Sequence, residues 1–136
     1  MFCNRFLAAT LIALSAATAA SGGEIEAAYD AGHYAEALSL LETRGLEGDI
    51  EAQGMAGMMH LMGSSLYGSE VTTDPERAAR WLRASAMNGS IQAQFILAQL
   101  YMQGLGVPQD SNRAAWWLAQ ATTPFIEFSI AQASEL

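Results

Sequence analysis

The sequence contains no lysine, one cysteine at position 3 and three prolines, and all six of its cations are arginine. Fourteen carboxylates oppose them, for a net charge of −8. So acidic a surface repels phosphate backbones and anionic lipid headgroups, which argues against nucleic-acid binding and electrostatic membrane attachment. A single cysteine cannot build a disulfide framework. The only histidines, His33 and His60, have no second ligand in an H-x-x-x-H or C-x-x-C spacing, so a zinc site lacks its minimum complement. The G-x-G from Gly104 to Gly106 lacks a third glycine and leaves no strand, which makes it a turn and not a nucleotide loop. Acidic residues are scattered along helix starts and solvent faces, with no acid–base pair among them. The chain reads as a non-enzyme without a cofactor.

The N-terminus has the three parts of a secretion signal: a charge at Arg5, an apolar run from Phe6 to Leu14, and small residues ending in Ala19 and Ala20. The run is shorter than the ~20 residues that cross a bilayer, so cleavage near Ala19 or Ala20 is expected rather than anchoring. Cys3 precedes the run and cannot be an acylated lipoprotein cysteine. Removing residues 1–20 of 136 leaves 116, enough for one domain. Five arginines then face all fourteen carboxylates, a charge of −9. The mature chain is expected in the periplasm or outside the cell, without membrane attachment.

The remainder repeats itself. Arg77-Ala78-Ala79-Arg80-Trp81-Leu82 returns 36 residues on as Arg113-Ala114-Ala115-Trp116-Trp117-Leu118, and Asp74 returns as Asp110. Gly48-Asp49-Ile50-Glu51-Ala52-Gln53 returns 41 residues on as Gly89-Ser90-Ile91-Gln92-Ala93-Gln94. The difference of five falls between Gly63 and Asp74, which marks an enlarged loop. Run backwards, the offset of 41 lands on Ala37 and Gly48, the second half of a worn earlier copy.

Helices are predicted over 49–62, 74–87, 90–103 and 110–121. Asp49, Asp74, Ser90 and Asp110 suit the N-cap, and Pro75 suits a first turn. Gly63, Gly89 and Gly104 supply positive φ where helices end. Small residues recur where helices must approach closely, as at Ala52, Ala56, Gly57, Ala78, Ala93, Ala98 and Ala114. Met55 with Met59, and Ile96 with Leu100, fall at core spacing beside Trp81 and Trp117. One helix pair cannot bury its own apolar face, so pairs must stack into a short right-handed solenoid. The fold class is all-α, an α-α superhelix. Its parts are a degenerate N-terminal hairpin at 21–47, a first repeat at 48–88, a second at 89–122 and a capping helix at 123–136.

The second copy resembles the Sel-one-like repeat (SLR), a relative of the tetratricopeptide repeat. It carries Ala93-Gln94, Leu97, Leu100-Tyr101, Gly104-Leu105-Gly106-Val107, Asp110, Ala114-Ala115 and Trp117. The first copy keeps Ala52-Gln53, Gly57, Asp74, Ala78-Ala79 and Trp81, puts His60 at the tyrosine position and loses the G-x-G-V loop. The resemblance covers about residues 33 to 122. It implies a scaffold that binds another protein, often in an exported setting. The β-lactam association of cysteine-rich relatives does not carry over, because their cysteines are missing here.

Departures from the repeat mark the candidate contact residues. Met58 and Met62 stand where the second copy has Gln99 and Gln103, either covered by the N-terminal hairpin or facing a groove. Thioethers suit an adaptable binding surface. The enlarged loop carries Leu66 and Tyr67, and insertions of this kind often emerge on the binding face. Trp116 replaces Arg80 and is either an exposed anchor for a partner or, the favoured reading, covered by the capping helix, whose Phe125, Ile126, Phe128 and Ile130 need a partner. An alternative function is Cu(I) binding by Met55, Met58, Met59, Met62 and His60, whose soft ligands suit that ion.

Overall fold

A computed structural model describes residues 22–133. The secretion signal read at 1–20 and the last three residues of the terminal element lie outside the described residues. The chain forms α1 (Gly22–Asp30), α2 (Tyr34–Leu46), α3 (Ile50–Met62), the short α4 (Ser64–Tyr67) with a 3-10 turn at Gly68–Glu70, α5 (Pro75–Met87), α6 (Ile91–Gln103) and α7 (Ser111–Ala133). No strand occurs among the described residues. Each long helix packs on the next, so α1 pairs with α2, α3 with α5 and α6 with α7 in a tandem all-α array.

The starts and close approaches follow from the sequence. The carboxylates of Asp49 and Asp74 and the hydroxyl of Ser90 accept the backbone N–H three residues on. Asp110 does the same for Arg113. Each such cap stabilises by about 1 kcal/mol. The repeat is also written in buried hydrogen bonds: the Gln53 amide donates to the Gly45 carbonyl, and 41 residues on the Gln94 amide donates to the Ala86 carbonyl. At Gly57 the helices touch so closely that a Cβ would stand 2.7 Å from Leu82 Cγ.

Two apolar cores result. One joins α5, α6 and α7 through Leu82, Leu97, Leu100, Tyr101 and Trp117. The other joins the N-terminal hairpin to α3 through Ile25, Leu41, Met59, Tyr67 and Val71.

The C-terminal segment corrects the sequence reading. No separate capping helix starts at Thr123; α7 runs unbroken through Pro124 to Ala133. Helix α5 ends because Gly89 takes φ +99°. Its counterpart 36 residues on is Phe125, which has no comparable access to positive φ, so the stop signal is missing. Pro124 removes the donor that would meet the Gln120 carbonyl, and the hydroxyls of Thr122 and Thr123 bond the neighbouring Leu118 and Ala119 carbonyls of the preceding turn. Phe125 is 73% exposed, and Ile126 and Ile130 are exposed with it. Among the described residues, none beyond Ala121 is buried.

Candidate functional site

An open groove of about 350 Å3 lies along the first helices of the three pairs. Tyr29 of α1, Met55 and Met58 of α3, and Ile96 of α6 form its sides, over a floor of Met59 and Leu82. Its size is at the lower end of small-molecule pockets, which run about 300–1,000 Å3. Gly54 helps to open it, since the second copy fills that position with Phe95. Glu51 is the one charged side chain in the lining.

The structure divides the candidate residues. Met58 is half-buried and lines the groove. Met62 is 39% exposed and lies outside that lining. Met55, expected in the core beside Met59, is instead 46% exposed on the groove wall, while Met59 is buried. The reason is placement: Met59 meets α2 and the insert, whereas Met55, a turn earlier, faces the gap between α1 and α6. Tyr29, Gly54 and Ile96 also border the groove, and sequence reasoning did not single them out as contacts. The replacement of Phe95 by Gly54 was the available signal.

Tyr67 also lines the groove, but not from an open, exposed loop. The enlarged loop is not an open binding loop; it folds into α4 and the 3-10 turn, and Tyr67 is only 8% exposed. Its ring lies 6.0 Å from that of Tyr29 and 5.2 Å from that of Tyr34, an aromatic cluster joining α1, α2 and α4. Burial, with a hydrogen bond to Tyr29, pushes its hydroxyl up to about 12. The insert clamps the N-terminal hairpin, because that hairpin lacks the full repeat interface. Leu66 stays exposed. Trp116 is 55% exposed and packs edge-on against Trp117 at 4.6 Å.

The copper arrangement does not assemble. At about 100° per residue, Met55, Met58, Met59 and Met62 share one arc of α3, and His60 stands about 140° from Met55. His60 is buried, with Nε2 2.7 Å from Glu42 Oε1. Imidazole and thioethers therefore face different neighbours.

A tandem array of capped helix pairs with a groove along its first helices defines a helical-repeat protein of the α-α superhelix class. The family model of the Sel1 repeat matches residues 50–90 and 91–123, more than half of the chain, and the chain belongs to that family. It is similar to the crystal structure of a Sel1 repeat protein from Oxalobacter formigenes, with 28% identity and a TM-score of 0.59 over 66% of this chain and 65% of that one. It is also similar to a protective antigen of uropathogenic Escherichia coli displaying an SLR fold, with 26% identity and a TM-score of 0.59 over 74% of this chain and 23% of that one. The chain thus spans under two thirds of the length of either structure. No curated protein matches it.

Proposed function

We propose that this is an exported, non-catalytic scaffold that binds another protein in the groove between α1, α3 and α6. Membership of the Sel1 repeat family supports the reading, since such repeats usually serve protein interaction. The observation that carries it is the groove wall itself: Met55 and Met58 present thioethers at an open cleft, where unbranched, polarizable side chains adapt to a partner's shape. Export rests on the N-terminal charge, short apolar run and small-residue exit.

Affinity capture from the cell envelope tests both parts. A polypeptide retained by the wild-type protein and lost with Met58→Gln supports groove binding. Retention unchanged by Met55→Gln and Met58→Gln together would remove the groove from the reading. Mass spectrometry of the exported form should show an N-terminus at Ala20 or Ser21; an intact Met1 start in the membrane fraction would replace secretion with anchoring.

A further inference from the structure

Charge is sorted between the two helices of each pair. All five arginines among the described residues, Arg44, Arg77, Arg80, Arg83 and Arg113, lie on the second helices α2, α5 and α7. The first helices carry Glu24, Glu26 and Asp30 on α1 and Glu51 on α3, all exposed, and no cation. Helix α6 contributes only neutral side chains to the groove, Gln92 and Ile96 among them. Glu51 lines the groove and forms no ion pair among the described residues, whereas Glu42 and Asp49 meet arginines or a histidine elsewhere. The groove therefore has an apolar floor and, at Glu51, a carboxylate with no counter-charge in the lining.

From this we infer that the partner is a polypeptide segment with apolar side chains flanked by lysine or arginine, its apolar residues seated against Met55, Met58 and Ile96 and a cation beside Glu51. The inference rests on the groove reading above and adds the chemistry of the partner. Opposite charge steers such a segment to the cleft and suppresses acidic competitors. A second copy of this chain fits poorly, because it brings a net charge of −8 and no lysine.

The test uses the purified protein and fluorescein-labelled synthetic peptides sharing one leucine-rich centre, flanked either by lysines or by glutamates. The lysine-flanked peptide should bind about tenfold more tightly at low ionic strength, with the gap narrowing as salt shortens the Debye length to about 8 Å. Glu51→Gln should narrow it to about threefold, and Met58→Gln should weaken both peptides. Equal binding of the two peptides, still lost with Met58→Gln, overturns the cationic partner and leaves the groove standing. Binding indifferent to Met58→Gln overturns both. A dimer in sedimentation that Met58→Gln dissociates assigns the groove to a second copy and also overturns the inference.

Discussion

His60 Nε2 lies 2.7 Å from Glu42 Oε1, and the same three-position set recurs one repeat on with different chemistry. There Tyr101 replaces His60, Arg83 replaces Glu42, and the Arg83 guanidinium donates to the Tyr101 hydroxyl at 2.7 Å. Arg77 stands 3.9 Å from Glu42 in the first copy. Its counterpart Arg113 also donates to Tyr101, which holds the guanidinium above its ordinary pKa. Each copy satisfies a polar group at the end of its first helix with whatever the neighbouring helices offer.

Exchanging one member alone should therefore fail. Glu42→Ala leaves a buried imidazole nitrogen without its partner and should cost about 1–3 kcal/mol in urea denaturation. His60→Tyr with Glu42→Arg imports the second copy's set and should cost less than the two single changes added together. Additive losses would mean that the two residues act independently.

The insert gives a second prediction. Tyr67→Ala should lower stability by about 3 kcal/mol and the melting temperature by on the order of 10 °C, because the ring ties α1, α2 and α4 together. Leu66→Ala, one residue away and exposed, should change stability by less than about 0.5 kcal/mol. Shortening the insert to the second copy's loop is expected to destabilise for the same reason as Tyr67→Ala.

The Tyr67 hydroxyl also sets a pH window. Its folded pKa is raised from 10 to about 12, so folding favours the protonated form. That stability is fully present below pH 10 and is lost as pH rises towards 12. Absorbance of tyrosinate should show one late-titrating tyrosine, and Tyr67→Phe should remove that step and flatten the stability loss over the same range. At the acid end, the Arg77 backbone N–H holds Asp74 below its ordinary value of 3.8. Its contribution should be present above that pH and fade as pH falls further, an effect absent from Asp74→Asn.

What the sequence made legible was the part that repeats. Caps at Asp49, Asp74, Ser90 and Asp110, and three of the four predicted helix ends, are local signals that act within a turn or two. The burial of Tyr67 and the exposure of Met55 were not legible from the repeat. The insert has no second copy to be compared with, and Met55 faces a gap created by Gly54 and by the worn hairpin. Trp116 is exposed rather than covered. A worn repeat changes what its neighbours touch, and that is decided in three dimensions.

Gly57 separates propensity from packing. Alanine forms helix more readily than glycine by about 1 kcal/mol. Yet a Cβ here would meet Leu82 at 2.7 Å, with the Leu82 backbone nitrogen at 3.1 Å. Overpacking of this kind costs about 1–3 kcal/mol, so Gly57→Ala should destabilise on balance. Its counterpart Ala98 is fully buried and already holds the methyl. A stabilised Gly57→Ala variant would show that α3 and α5 can separate without loss.

The overhang of α7 yields the last prediction, the reverse of what a capping helix would give. Gln53 Oε1 accepts from Asn88 at 3.2 Å, but its repeat counterpart Gln94 Oε1 is buried with no partner among the described residues, because Pro124 stands where Asn88 would. Among the described residues the chain beyond Thr123 therefore offers Gln94 no partner, and its Phe125, Ile126 and Ile130 stay exposed. Ending the chain at Thr123 should leave the melting temperature within about 2 °C of wild type while lowering helicity and aggregation. Replacing Pro124 by Asn and Phe125 by Gly restores the first copy's stop, and should shorten α7 while raising stability by about 1 kcal/mol through the Gln94 bond. If truncation instead lowers melting by several degrees, the overhang contacts the array after all, and Trp116 is the place to look.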